Sequence, residues 1–91
     1  MSDCIACVDI GNSMIKTVIF DAESPVAGSV ARFPVGDAGS AALHLCGFRP
    51  ASVFFCSVNP PAAMRFYEES LRMELPRPVM ITNAMNTLLE N

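Results

Sequence analysis

Short continuous apolar and β-branched runs give way along this chain to runs whose apolar residues repeat every three or four. Cys4-Ile5-Ala6-Cys7-Val8 is unbroken apolar sequence, and Ile15-Lys16-Thr17-Val18-Ile19-Phe20 is β-branched and aromatic and stops at Asp21. Turn-forming residues separate them, so the two runs predict strands joined as a hairpin. A third extended segment, Val26–Phe33, is interrupted by Gly28, a candidate bulge, and followed by Pro34. With Glu23-Ser24-Pro25 as the intervening turn, residues 4–33 predict a three-stranded antiparallel meander.

Helical spacing begins after it. Asp37 is placed to cap a helix through Ala41, Ala42, Leu45 and Cys46, with Gly47 as its stop. Ser52–Val58 contains the consecutive apolar residues Val53, Phe54, Phe55 and Cys56, a pattern that suits a strand covered on both faces. Asn59 is a good N-cap with Pro60 at the first helical position, and Met64, Tyr67, Leu71 and Leu75 follow as an apolar stripe. Arg65 with Glu69, and Glu68 with Arg72, are spaced as i,i+4 pairs on the outer face. Pro76 and Pro78 end this helix, and Val79-Met80-Ile81-Thr82 reads as a short last strand. For the tail from Asn83 to Asn91, a weak helix carrying Met85, Leu88 and Leu89 and an irregular or extended end remain open.

The order is β-β-β-α-β-α-β, an α/β pattern with a mixed sheet, which is that of one ribonuclease H-like lobe. The 91 residues suit a single domain of modest stability. Their 52% apolar and 16% charged content is unusual for so small a unit, and predicts that another lobe or a second copy covers part of the surface. A net charge of −3 argues against nucleic-acid binding by phosphate neutralisation. Met1-Ser2-Asp3 has no basic leader and Asp9 interrupts the first apolar run, so a membrane partner is not expected and the location read from sequence is cytoplasmic.

Cys4 and Cys7 form C-x-x-C, but on an extended strand such residues point to opposite faces and cannot share one ion. Cys46 and Cys56 add no second motif. Four reduced, mostly buried thiols are expected. His44, the only histidine, reads as a surface or half-buried side chain rather than a base.

The chemistry concentrates in Asp9-Ile10-Gly11-Asn12-Ser13-Met14-Ile15-Lys16. A carboxylate at a strand end can hold Mg²⁺ through water, and a glycine turn can expose backbone N–H groups to phosphate oxygens. No GxxxxGK[ST] is present, so this is not a Walker-type loop. Spacing alone equally allows an ordinary solvated hairpin turn. The residues Asp9, Gly11, Asn12, Ser13 and Lys16 resemble the D-x-G-N-[TS]-x-x-K motif that opens the type III pantothenate kinases, within the acetate kinase, sugar kinase, Hsp70 and actin superfamily. Phe55-Cys56-Ser57-Val58-Asn59-Pro60-Pro61 resembles the strand-to-helix break after the fourth strand of the same kinases.

The resemblance covers the N-terminal lobe of that family. It implies ATP and Mg²⁺ as cofactors, with a monovalent cation as a further one, and phosphorylation of pantothenate in coenzyme A biosynthesis. It also implies roles: Asp9 orients the metal, Gly11, Asn12 and Ser13 cradle phosphates, and Lys16 offsets charge. The G-A-D-R stretch with the family's catalytic aspartate, and the second lobe, have no counterpart here. The isolated chain is therefore expected to be inactive. A nucleotide-binding or actin-like assembly module, and a non-catalytic interaction subunit, are the alternatives. Ribonuclease H activity is not expected, since it needs several strand-end carboxylates and Asp9 is the only one well placed.

Overall fold

The computed structural model describes residues 4–21 and 24–81. Six strands and two helices follow one another as β1 (Ile5–Ile10), β2 (Met14–Asp21), β3 (Ser24–Pro25), β4 (Ala31–Pro34), α1 (Ala38–Cys46), β5 (Ser52–Ser57), α2 (Pro60–Arg72) and β6 (Val79–Met80). They form one mixed sheet in the order β3-β2-β1-β5-β6, with β4 also paired to β2. β1 runs antiparallel to β2 and parallel to β5, and β5 is parallel to β6. This is the mixed α/β architecture of a ribonuclease H-like lobe. The tail residues 83–91, the leader Met1-Ser2-Asp3, Glu23 and Thr82 lie outside the described residues.

Side chains alternate across a strand, so each strand divides its residues between two faces. On one face Ala6, Val8 and Ile10 of β1, Ile15 and Ile19 of β2, and Val53 and Phe55 of β5 are buried. They form one core with Ala41, Ala42 and Leu45 of α1 and Ala62, Ala63 and Phe66 of α2. Both helices therefore cover the same face. Phe66, fully buried, meets Phe55 with ring centroids 6.0 Å apart.

The opposite face differs from the sequence expectation. Ile5 is 36% exposed, and Cys7, Phe54 and Cys56 are only half-buried. The apolar runs of β1 and β5 are thus covered on one side, not both. Of the four cysteines only Cys4 is buried, and no disulfide joins them. Cys4 lies in the core and Cys7 on the open face, as extended backbone requires.

The third predicted strand is split. Ser24–Pro25 pairs with Phe20 and Asp21, Ala31–Pro34 pairs with Met14 to Thr17, and between them Gly28 takes φ +79. Ile19 pairs with Ala6 of β1, but on its other edge the interruption leaves no strand residue opposite it, and the Val26 N–H donates to its carbonyl at 2.7 Å. Buried Ser29 substitutes: its Oγ accepts from the Ile19 N–H at 3.0 Å and donates to the Ile19 carbonyl at 3.3 Å. A side chain thereby satisfies buried backbone groups that a ladder would otherwise pair.

Two helix details also depart from expectation. α1 is capped by Asp37, whose carboxylate accepts from Ser40 N–H, but Gly47 is not its left-handed stop. Gly47 keeps φ −64, and the left-handed residue is Arg49 at φ 50. In α2 the buried face is Ala62, Ala63, Phe66 and Ser70, while Met64 and Leu71 are exposed. Small side chains won because α2 packs against the alanines of α1, where bulk would hold the helices apart. On the outer face Arg72 pairs with Glu69, an i,i+3 ion pair, and neither expected i,i+4 pair forms.

Candidate functional site

β1 and β2 turn through the three-residue loop Gly11-Asn12-Ser13. The Gly11 N–H donates to the Met14 carbonyl at 2.9 Å, and the Ser13 carbonyl accepts from Val35 N–H at 2.9 Å. None of the three residues is left-handed. A type I′ turn is therefore not what the glycine serves. A Cβ on Gly11 would lie 3.4 Å from the Met14 carbonyl oxygen, tight but not forbidden. Gly11 offers a ligand its bare Cα and not its N–H, which corrects the expectation that its amide faces a phosphate. The exposed Asn12 and Ser13 leave their N–H groups without an acceptor among the described residues.

The second motif is brought against this tip. Val58 N–H donates to the Ile10 carbonyl at 3.1 Å, and Asn59 Nδ2 donates to the Gly11 carbonyl at 3.5 Å. The same Asn59 caps α2, its Oδ1 accepting from Ala62 N–H at 3.3 Å. Ser57 Oγ accepts from Asn59 N–H at 2.9 Å and donates to the Asn59 carbonyl at 3.0 Å, fixing the break between β5 and α2. One amide thus ties the helix start to the hairpin tip.

Asp9 and Lys16 are directly opposed across β1 and β2, on the open face of the sheet. Both are exposed, and no ion pair joins them. Instead Cys56, opposite Asp9 on β5, donates its S–H to Asp9 Oδ1 at 3.6 Å. Burial pushes the Cys56 thiol above its ordinary value, and the Asp9 charge and hydrogen bond push it further. Burial raises Cys7 as well. Both thiols stay protonated at neutral pH, which makes them poor nucleophiles and poor metal ligands.

Sequence reasoning passed over Arg32. In β4 it lies directly opposite Lys16, so Cys56, Asp9, Lys16 and Arg32 form one row across four strands on one face. The row borders a cleft of about 510 Å³ whose apolar lining includes Val18, Val30, Phe54 and Ile81. The pairing of Arg32 depends on how residues 26–30 loop out, and no local pattern gives that offset. His44 is half-buried, its Nε2 3.2 Å from the Ser29 carbonyl and its ring against Phe33 and Phe48. It takes no part in the row.

A divalent ion fits this donor set in one form only. Among the described residues no three His, Cys, Asp or Glu side chains gather as a metal cluster. A lone accessible carboxylate suits Mg²⁺, which keeps several waters and takes further oxygens from phosphate; it does not suit an all-protein cage.

No protein-family model matches the chain, and no curated protein matches it. Among solved structures, the crystal structure of the Aquifex aeolicus member of the Ppx/GppA protein family is similar, with a TM-score of 0.54 and 14% identity. The match covers 88% of this chain and 35% of that one, so the chain spans about a third of its neighbour's length. The likeness is one of fold. Among the described residues no helix is long and apolar enough to cross a membrane.

Proposed function

We propose that the chain is a nucleotide-binding lobe that holds the phosphates of Mg²⁺-ATP or Mg²⁺-ADP at the β1–β2 hairpin. The observation that carries this is the placement of Asp9 and Lys16 in register on one open face, neither in an ion pair among the described residues, next to a tip whose Asn12 and Ser13 N–H groups have no acceptor among those residues. Asp9 turns one oxygen to Cys56, which orients the carboxylate and leaves its other oxygen for a metal-bound water. Mg²⁺, when bound, neutralises phosphate charge. Lys16 supplies a point charge on the far side of the acid, and Asn12 and Ser13 supply N–H donors and a hydroxyl. Phosphoryl transfer is mostly positioning and electrostatics, so a lobe with these parts contributes half of such a site.

The narrower reading, ATP-dependent phosphorylation of pantothenate, rests on the two motifs that resemble type III pantothenate kinases. In that reading the acceptor contacts come from outside this chain. A covering lobe or second copy is favoured by the open face itself, where Val30, 66% exposed, and half-buried Phe54 stand beside the charged row.

Isothermal titration with Mg²⁺-ADP tests the proposal. Wild type binds weakly and Asp9→Ala removes the binding. Equal affinity in the two proteins would take Asp9 out of the site.

A further inference from the structure

We infer that Arg32 is the second cationic contact of the phosphate site, and that with Lys16 it fits the site to a diphosphate or longer chain rather than a single phosphate. This rests on the phosphate-binding reading above and adds to it the length of the anion.

Lys16 and Arg32 are directly opposed on adjacent antiparallel strands, and both are exposed. Side chains so placed start about 5 Å apart, and like charges directly opposite each other destabilise a sheet. No acidic side chain is paired with either among the described residues. Asp9, opposite Lys16 on its other side, offsets part of this charge without closing an ion pair, and Arg32 at the end of the row has no acid paired with it among the described residues. An anion lying between Lys16 and Arg32 relieves their repulsion.

Spacing sets the size of the anion. Neighbouring strands lie about 4.8 Å apart, so the row places Arg32 about 10 Å from Asp9, with Lys16 midway. A single phosphate meets both a metal at Asp9 and the Arg32 guanidinium only if the long Arg32 side chain folds back across Lys16, whereas a chain of two or three phosphates spans the row from Asp9 past Lys16 to Arg32. The two cations divide the work by shape: the planar Arg fork takes two oxygens of one phosphate, and the Lys ammonium serves as a point charge. The apolar cleft beside the row, with Val18, Val30, Phe54 and Ile81, takes the non-phosphate body of the ligand.

The test uses the full chain and three probes, Mg²⁺-ADP, Mg²⁺-AMP and inorganic tripolyphosphate, with titration calorimetry on wild type, Arg32→Ala and Arg32→Lys. Wild type should prefer ADP to AMP. Arg32→Ala should weaken ADP and tripolyphosphate by about tenfold while changing AMP less than twofold, and Arg32→Lys should recover part of the loss. A thermal melt within a degree or two of wild type shows that the edge strand is intact. If tripolyphosphate binds in an Arg32-dependent way and ADP does not bind, the role of Arg32 stands and the nucleotide reading falls. Unchanged ADP and tripolyphosphate affinity in Arg32→Ala, or no binding of either probe to wild type, overturns the inference.

Discussion

The two faces of one sheet carry different tasks, although the same strands supply both. Ala6, Val8 and Ile10 on β1 are buried under two helices, while their neighbours Ile5, Cys7 and Asp9 look out from the other side. On β2 the division is the same, with Ile15 and Ile19 inside and Lys16 outside. The covered face holds nearly all the apolar burial, so it supplies the stability. The open face holds the charged row and the cleft. Substitutions on one face should therefore move unfolding and leave ligand affinity to follow the fold, and substitutions on the other should do the reverse.

The largest break of that division comes from Phe66→Ala. The ring is fully buried against Phe55. Its removal should cost about 3–5 kcal/mol, a large part of the roughly 5–15 kcal/mol that stabilises a typical domain. Urea unfolding followed by circular dichroism measures it. A loss below about 1 kcal/mol would mean that the helices are not the main cover of this face. The contrast is Asp9→Ala, an exposed position, which should stay within about 0.5 kcal/mol of wild type while ending nucleotide binding.

Asn59 belongs to neither face, and its substitution sharpens the comparison. It caps α2 and reaches the Gly11 carbonyl, so it joins the covering layer to the ligand loop. Asn59→Ala should lose about 1 kcal/mol, the usual cost of an N-cap. Because the hairpin tip loses its tether, ADP affinity should fall too, although Asn59 is not expected to touch the ligand. A variant with the stability loss and unchanged affinity would confine Asn59 to capping.

Much of this is legible in the sequence. The hairpin, the Asp37 and Asn59 caps and the order of the elements follow from local signals: turn residues, N-cap side chains and a change of period. What escaped was set by tertiary pairing. The face of α2 differs from the stripe of Met64 and Leu71 because packing against α1 buries the small Ala62 and Ala63, and the same face carries Phe66 onto Phe55 of β5. The exposure of Phe54 and Cys56 could not be inferred from an apolar run, since such a run is the same whether one face is covered or two. Asp9 and Lys16 were legible through their motif, and Arg32 was not, because its register with Lys16 depends on a strand that breaks and resumes around Gly28.

The smallest expected effect asks whether the open face contributes anything to stability. Cys7 and Cys56 have thiols raised above the ordinary value of 9.0, Cys7 by burial and Cys56 by burial and then by the Asp9 carboxylate. A raised value means that the native state holds the proton more tightly than the unfolded chain does. The resulting stabilisation is complete below the unfolded thiol's value and is lost as pH rises through the higher native values. Unfolding midpoints in urea, measured from pH 7 to above pH 9, should therefore decline more for wild type than for the Cys7→Ser/Cys56→Ser double variant, which lacks these two thiols. All other side chains are the same in both proteins and drop out of the difference. Parallel curves would show that the open-face thiols are solvated enough to be neutral to folding. The division between a stabilising face and a ligand face would then be sharper than the half-burial of these two side chains implies.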